Sequence, residues 1–289
     1  MITQIIYQHK NRKGMGNMIA AVIQMNCEPG NIRKNVAAAR DFIRKAADKG
    51  AEWAVLPELF QTGYLLGGRD REYAGPVPGG EALCWMEETA REFGIMLTGG
   101  IIEEQGGKLY DTAVTVSQHG LLGAYRKIHL WGGEKERFTP GNDTGTPMDC
   151  GNWKIGMQIC YEAGFPEGAR LQVLKGANAL AYVAAFGAAR AEVWDLATRA
   201  RALENGCYVL ASDRCGTEPC GTKFAGRSRI VAPDGTILAQ VEEGEGIAVA
   251  KLELSNIQQQ RAVLPYLKDL RTDLIAAAWQ KWANGSERG

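Results

Sequence analysis

Short apolar runs alternate along the first part of the chain with longer amphipathic segments, a pattern typical of strands joined by helices. Strand-like runs occupy residues 19–25, 53–56 and 95–102. Apolar residues recur at helical spacing between the cap candidate Asn31 and the stop signal Lys49-Gly50, and a second helix is predicted over 81–93. Strands linked by such crossovers run parallel, so the pattern favours an α/β fold.

A hairpin then interrupts the alternation, because residues 109–117 and 121–125 flank the turn Gln118-His119-Gly120. A mixed sheet is therefore predicted. After a loop over 131–149 the pattern resumes, with strands at 154–159, 177–186, 207–212, 228–232, 236–240 and 246–252 and a helix over 191–204. Without a repeat or a linker-like segment, this arrangement indicates one domain of two packed sheets with helices outside.

The strand over 154–159 ends abruptly at Cys160, and Pro166 suits the first turn of a following helix. Cys160 would then lie at a strand-to-helix corner that a ligand can reach. Backbone N–H groups after such a corner stabilise an anion. Most free cysteines are small buried core residues, so this position alone leaves both interpretations open.

Composition narrows the class of partner. The chain has 289 residues, of which 45% are hydrophobic, and its 33 basic and 33 acidic side chains leave no net charge to attract nucleic acid or an anionic membrane. A small molecule is the expected partner. No apolar run is long enough to span a bilayer and no signal-peptide core is present, so we expect a soluble protein.

The seven cysteines show no disulfide framework, which favours a reducing compartment, the cytoplasm. Cys215 and Cys220 are close in sequence, but neither a histidine nor a second cysteine pair stands near enough to complete a zinc site. We therefore expect no metal.

A catalytic cysteine needs a base, which is most often histidine. Of the three histidines, His9 lies near the N-terminus and His119 in the hairpin turn, which leaves His129. The alternative is a carboxylate whose pKa is raised by its pocket, and Glu58, behind Pro57 at a predicted strand end, is the best placed. Lys127 follows the hairpin and could stabilise an oxyanion. Taken singly, Glu58 and Lys127 are equally well explained as solvated surface residues.

Three blocks change this balance: PELFQTGY at 57–64, YRKIHL at 125–130 with FTPG at 138–141, and ICYEAGFPEGAR at 159–170. In order and spacing they resemble the signature blocks of the nitrilase superfamily of carbon–nitrogen hydrolases. Similar matches at 199–216, 226–235 and 266–271 extend the resemblance over residues 18–271. It implies a four-layer αββα sandwich with two mixed β-sheets, an enzyme, and no cofactor.

The resemblance also implies a Glu-Lys-Cys triad, which falls on Glu58, Lys127 and Cys160. Cys160 would attack an amide carbon and form a thioester while Glu58 moves the proton. Lys127 and the backbone N–H of Tyr161 would hold the oxyanion. A second glutamate of the family falls on Glu134.

The alternative for Glu134 is a loop ion pair with Lys135 or Arg137. For the pocket wall we expect Tyr64, Trp131, Ala185 and Phe186, each of which would also fit a plain core position.

The expected reaction is hydrolysis of a small carboxamide to acid and ammonia. The loop 131–133 is short and Val183 to Phe186 replace a Pro-Ser or Pro-Ala pair of the family, which favours a simple amide. N-carbamoyl compounds, ω-amides and nitriles remain alternatives within the family. A non-catalytic binding or assembly module is the alternative from a different class, and the intact triad argues against it.

The domain prediction has three parts: a disordered extension at 1–17, one catalytic domain at 18–271 and a tail at 272–289. Segments 165–174 and 191–203 carry many apolar residues, among them Trp194. Together with the resemblance they predict a homodimer, or a multiple of one, with Trp194 at the centre of the interface and the C-terminal segment after Leu254 reaching across.

Overall fold

Two six-stranded mixed sheets lie face to face at the centre of the molecule. The computed structural model describes residues 16–285. The predicted extension at 1–17 therefore lies outside the described residues except for Gly16 and Asn17, and Asn17 already begins the first strand. The assignment of 18–271 to one domain stays a prediction.

The first sheet has the strand order β12-β1-β2-β3-β4-β5. Strands β1, β2 and β3 are parallel to one another, and the other pairs are antiparallel. Its strands are β1 (Asn17–Gln24), β2 (Trp53–Val55), β3 (Met96–Gln105), β4 (Lys108–Ser117), β5 (Gly120–Arg126) and β12 (Gly246–Glu253). The predicted hairpin is confirmed as β4–β5.

The second sheet has the order β11-β10-β9-β8-β7-β6, with β7, β8 and β9 parallel. Its strands are β6 (Met148–Cys150), β7 (Trp153–Ile159), β8 (Ala179–Ala184), β9 (Tyr208–Asp213), β10 (Arg229–Val231) and β11 (Ile237–Gln240). Both sheets thus contain three parallel strands, whose carboxyl ends are the usual place for chemistry in such folds.

Helices cover both outer faces and complete the predicted αββα layers. They are α1 (Ile32–Asp48), α2 (Glu81–Phe93), α3 (Glu134–Arg137), α4 (Pro166–Leu174), α5 (Ala191–Asn205), α6 (Leu254–Val263), α7 (Tyr266–Asp269) and α8 (Thr272–Ala283). Asn31 caps α1 by accepting a hydrogen bond from the N–H of Lys34, and Pro166 is the first residue of α4, as predicted.

Strand β1 shows how the period-2 pattern builds the layers. Ala20 and Val22 point into the core between the sheets, whereas Ala21 and Ile23 pack with α1 and α2. Because both faces are covered, such a strand has no polar side, which explains its continuous apolar run.

Two expectations need correction. The predicted loop over 131–149 contains the short helix α3 and the edge strand β6. Trp194 is not at an exposed surface, because its side chain is fully buried and its ring lies 5.3 Å from that of Phe186.

Within residues 16–285, no helix combines the length and the hydropathy that crossing a membrane requires.

Candidate active site

Three strand ends from the two sheets meet at one place. Glu58 follows β2, Lys127 follows β5 and Cys160 follows β7. The contact between sheets is direct, because the backbone N–H of Ala185, just after β8, donates to Glu58 Oε2 at 2.7 Å. The structure therefore brings together the three residues that the sequence placed at strand ends.

The backbone at two of these ends is sharply turned. Leu59, next to Glu58, and Cys160 both have φ of +48°. Few residues other than glycine adopt this left-handed conformation, and those that do cluster at functional sites. Gly100 in β3 provides the space for the Glu58 turn, since a Cβ there would lie 2.7 Å from the Cα of Glu58.

Lys127 is the centre of a buried ionic cluster. Its Nζ donates to Glu58 Oε1 at 2.6 Å and to Glu134 Oε1 at 2.8 Å, and lies 3.4 Å from Asp111 Oδ2. All four side chains are buried. Removing one partner from such a cluster leaves an uncompensated buried charge, at a typical cost of about 3–5 kcal/mol.

Glu134 belongs to this cluster and not to a loop ion pair. It accepts hydrogen bonds from the Tyr64 hydroxyl at 2.5 Å and from the backbone N–H of Trp131 at 2.7 Å. Arg137, one of its alternative partners, pairs instead with Asp70 at 2.6 Å. Glu134 is thus held in place by its own contacts and helps Glu58 to fix the position of Lys127.

The titration of Glu58 differs from the expectation. Burial opposes its ionisation, but the charge of Lys127 and hydrogen bonds from Asp111, Lys127 and Cys160 outweigh burial and hold the pKa of Glu58 below its usual 4.5. The sequence-based expectation of a raised pKa took account of burial but not of the Lys127 ammonium, which lies 2.6 Å from Glu58 Oε1. Burial also disfavours charged Lys127, yet Glu58 and its neighbours raise the pKa of Lys127 well above its usual range.

Burial raises the pKa of the Cys160 thiol well above 9.0, and the negative charge of Glu58 raises it further. The pKa of the Asp111 carboxyl is likewise raised well above its usual value, first by burial and then by the charge of Glu58. The directions of these pKa shifts favour a protonated thiol, an ionised Glu58, a charged Lys127 and a neutral Asp111.

Carboxyl oxygens of Glu58, Asp111 and Glu134 lie within 4.8 Å of one another, a spacing that would also suit a metal ion. The Lys127 ammonium contacts all three of these groups. The chain itself thus supplies the cation that this acidic cluster needs, and we assign no metal to it.

A cavity of about 70 Å³ opens beside Cys160, with space for a handful of non-hydrogen atoms. The four wall residues expected from the sequence, together with Tyr161, line this cavity. They are Tyr64, Trp131, Ala185 and Phe186. Two polar residues that also line it, Arg190 and Thr222, were not predicted.

Glu162 was also missed as a separate feature, although it stands inside the cysteine block. Its Oε2 accepts from the N–H of Ile159, and its Oε1 accepts from the N–H of Ile128 and the hydroxyl of Tyr125. Glu162 thus ties the segment that carries Lys127 to the corner that carries Cys160. A buried acid two residues after a candidate nucleophile was the available signal.

His129, the alternative base, lies in a different environment. Its ring stacks on Phe165 at 3.9 Å, and its Nδ1 lies 3.6 Å from Glu162 Oε1. These contacts place His129 against residues that follow Cys160 in the chain. The carboxylate alternative, Glu58, lies instead in the cluster with Cys160.

The chain is similar to known proteins over most of its length. A family model described as carbon-nitrogen hydrolase matches residues 19–262. The nitrilase of Pyrococcus abyssi is 38% identical over 247 residues, 83% of this chain and 92% of that protein. The omega-amidase of Homo sapiens is 34% identical over 260 residues, 86% of this chain and 93% of that protein.

Among solved structures, a mutant amidase from Nesterenkonia sp. AN1 is similar with a TM-score of 0.81 at 27% identity. The match covers 90% of this chain and 99% of that one. That structure shows the result of Michael addition of acrylamide at the active-site cysteine of the amidase.

Proposed function

The chain belongs to the carbon-nitrogen hydrolase family and hydrolyses carbon–nitrogen bonds other than peptide bonds, and from this premise we propose that it cleaves a small carboxamide to an acid and ammonia through a Cys160 thioester. The observation that carries the proposal is the placement of Cys160 at a cavity, hydrogen-bonded to the buried Glu58, which Lys127 contacts at 2.6 Å. The acrylamide adduct at the active-site cysteine of the Nesterenkonia amidase supports the same role for Cys160.

Acylation begins with the thiol in its protonated form. As Sγ attacks the amide carbon, the S–H proton passes to Glu58, so no free thiolate has to form beforehand. This order suits a thiol whose pKa is raised and a carboxylate whose pKa is lowered. The carbonyl electrons move onto oxygen and form the tetrahedral oxyanion.

The oxyanion is held by the Lys127 ammonium and the backbone N–H of Tyr161, the first residue after the nucleophile. Charge placed in advance where negative charge develops is usually the largest contribution to such a reaction. Glu134 acts by orienting Lys127, which it contacts at 2.8 Å.

Collapse of this intermediate breaks the carbon–nitrogen bond, and Glu58 returns its proton to the leaving nitrogen, which departs as ammonia. Glu58 is then ionised again and takes a proton from water as the water attacks the thioester. Breakdown of the second intermediate releases the acid and returns the proton to sulfur.

Ammonia release from a panel of amides, carbamoyl compounds and nitriles tests the proposal, with Cys160→Ala as the blank. We expect turnover of at least one amide and none in the blank, and near-complete loss in Cys160→Ser. Glu58→Gln should bind substrate but release no burst of ammonia, and mass spectrometry of the wild type with slow substrates should detect the acyl adduct. A panel without ammonia above the blank would contradict the proposal.

We also propose that the protein is a homodimer or a multiple of one. Helices α4 and α5 expose leucine and valine side chains, including Leu171, Val193 and Leu196, and in α8 the side chain of Trp279 is more than half exposed. A second copy packed on this surface would remove these side chains from water.

We also propose that the protein works in a reducing compartment, the cytoplasm, and its seven free cysteines support this location.

A further inference from the structure

Glu218 is a buried carboxylate that the reaction described above does not use. It lies in the loop that follows β9, and its side chain is ion-paired with the fully buried Arg214. Its Oε1 also accepts hydrogen bonds from two consecutive backbone N–H groups, that of Tyr64 at 3.1 Å and that of Leu65 at 3.3 Å. A buried ion pair often adds no net stability, which leaves its hold on the Tyr64 backbone as the contribution that the site can use.

Both the backbone and the ring of Tyr64 are fixed by their neighbours. Its carbonyl oxygen accepts from Arg137 Nη2 at 2.7 Å, so the backbone is held at the N–H by Glu218 and at the C=O by Arg137. The Arg137 guanidinium also lies 5.3 Å from the centroid of the Tyr64 ring, and the ring of Phe224 meets that ring edge-on at 6.0 Å. Arg214 in turn lies 4.0 Å from the centroid of Phe224. The pair of Arg214 and Glu218 therefore holds Tyr64 through its backbone and, by way of Phe224, through its ring.

The hydroxyl of this fixed tyrosine reaches the cluster at Lys127. It donates to Glu134 Oε1 at 2.5 Å, and the same oxygen accepts from Lys127 Nζ at 2.8 Å. A continuous series of contacts thus runs from Glu218 through Tyr64 and Glu134 to the ammonium that holds the oxyanion in the proposed reaction. Misplacing a reacting group by about 1 Å can cost about 10²-fold in rate, so the far end of such a series can change kcat without contacting the substrate.

We propose that Glu218 is a positioning residue for this reaction, acting on Lys127 through the Tyr64 hydroxyl. Arg214 keeps the Glu218 carboxylate in place, and Glu134 joins the hydroxyl to the ammonium. The proposal rests on the amidase function proposed above and adds a residue that acts through others. Because the effect passes through one hydroxyl group, it should appear in kcat and disappear when that hydroxyl is removed.

A double-mutant cycle in kcat tests this route, with ammonia release as the assay and Glu218→Gln and Tyr64→Phe as the two changes. Glutamine keeps the shape of Glu218 but not the charge that strengthens its hydrogen bonds, so we expect kcat to fall about tenfold and KM to change by less than about threefold. Tyr64→Phe keeps the ring and should lower kcat by about 10- to 100-fold. Adding Glu218→Gln to Tyr64→Phe should then lower kcat by less than about a further threefold. Arg214→Met/Glu218→Gln also removes the unpaired cation and is the second variant for the same cycle, should the single change prevent folding.

Asp195→Asn is the matched control. It takes the carboxylate from Arg229, which is as deeply buried as Arg214, and it belongs to helix α5 and not to the contacts around Tyr64. We expect it to lower the free energy of unfolding but to leave kcat within about threefold of the wild type. An unchanged kcat in Glu218→Gln, losses that multiply in the double variant, or an equal loss of kcat in Asp195→Asn would overturn the proposal.

Failure of the proposed function is recognised separately, as the absence of ammonia above the Cys160→Ala blank for every amide. The same cycle is then measured as the rate at which acrylamide labels Cys160, by mass spectrometry of that peptide. In this addition Sγ bonds to the terminal vinyl carbon and the thiol proton passes to the neighbouring carbon, while negative charge develops on the amide oxygen, where Lys127 should stabilise it. Labelling rates that multiply in the double variant, or that do not change in Glu218→Gln, would overturn the role of Glu218 even without a known substrate.

Discussion

Replacing Asp111 with asparagine tests the charge balance on which the ionised state of Glu58 depends. Asp111 contacts Lys127 from within β4, and three carboxyl groups surround one ammonium there. We expect Asp111 to be neutral and to donate a hydrogen bond to Glu58, because burial raises its pKa so strongly. Asparagine has nearly the same shape, is neutral and can also donate, so it preserves the state that we assign.

The two charge states predict effects of different size. An ionised Asp111 at 3.4 Å from Lys127 Nζ would interact with it by about 5 kcal/mol at an effective dielectric constant of about 20. A neutral Asp111 contributes a hydrogen bond of about 1 kcal/mol, most of which asparagine keeps. We therefore expect Asp111→Asn to lower kcat/KM by less than about tenfold, and to move the acid limb of its pH profile by less than about one unit.

The assay is ammonia release across pH, with unfolding in denaturant measured on the same samples. Asp149→Asn is the control, since Asp149 is an exposed residue of β6 that contacts Lys154. Burial also raises the pKa of Asp213 well above its usual value, so the infrared signal of Asp111 is the part of the carboxylic-acid absorption that is lost in Asp111→Asn. A shift of the acid limb by several units, or a carboxylic-acid absorption that is the same in both proteins, would refute a neutral Asp111.

Four further predictions follow from the site and the surface. Lys127→Met should lower kcat by about 10²- to 10³-fold with little change in KM, and a change in KM alone would make Lys127 a substrate-binding residue. In Glu134→Gln, kcat should fall by a larger factor than the folding equilibrium constant, and unchanged kinetics would exclude an orienting role. Because the pKa of Glu58 is lowered, this base stays ionised as pH falls to 4.5, so the acid limb of kcat/KM should lie below that pH; a limb near about pH 6.5 would contradict the lowered pKa. Leu196→Glu, at a side chain that is 72% exposed, should give monomers in light scattering without unfolding the chain, and a wild type that is already monomeric would contradict the dimer.

The family resemblance is what predicted the triad, and the residues alone gave a weaker signal, namely that each member stands where a predicted strand ends. Glu58, Lys127 and Cys160 follow β2, β5 and β7, and these ends meet because the two sheets pack together. Asp111 gave no such signal, because it lies inside a strand and reaches Lys127 only through the pairing of β4 with β5. Arg190 was missed for a related reason, since only the folded loop shows that it lines the cavity beside Cys160.

The error at Trp194 has a cause that the sequence already contained. Trp194, Ala197, Thr198 and Arg201 are spaced as one face of a helix, and all four are buried in α5. Val193 and Leu196 lie on the other face and are exposed. Apolar content alone therefore assigned Trp194 to the exposed face, whereas helical spacing separates the two faces.

The protonated state of Cys160 also determines how the protein responds to covalent labelling. General alkylating reagents react with thiolates, and the exposed Cys220, whose pKa is lowered by hydrogen bonds with Thr222, offers that form far more readily. In the mechanism that we propose, Cys160 loses its proton to Glu58 only as it attacks an electrophile inside the cavity. The total alkylation of a sample is then a poor measure of active enzyme, and an active-site titrant for this protein should be a weak electrophile with the shape of its substrate.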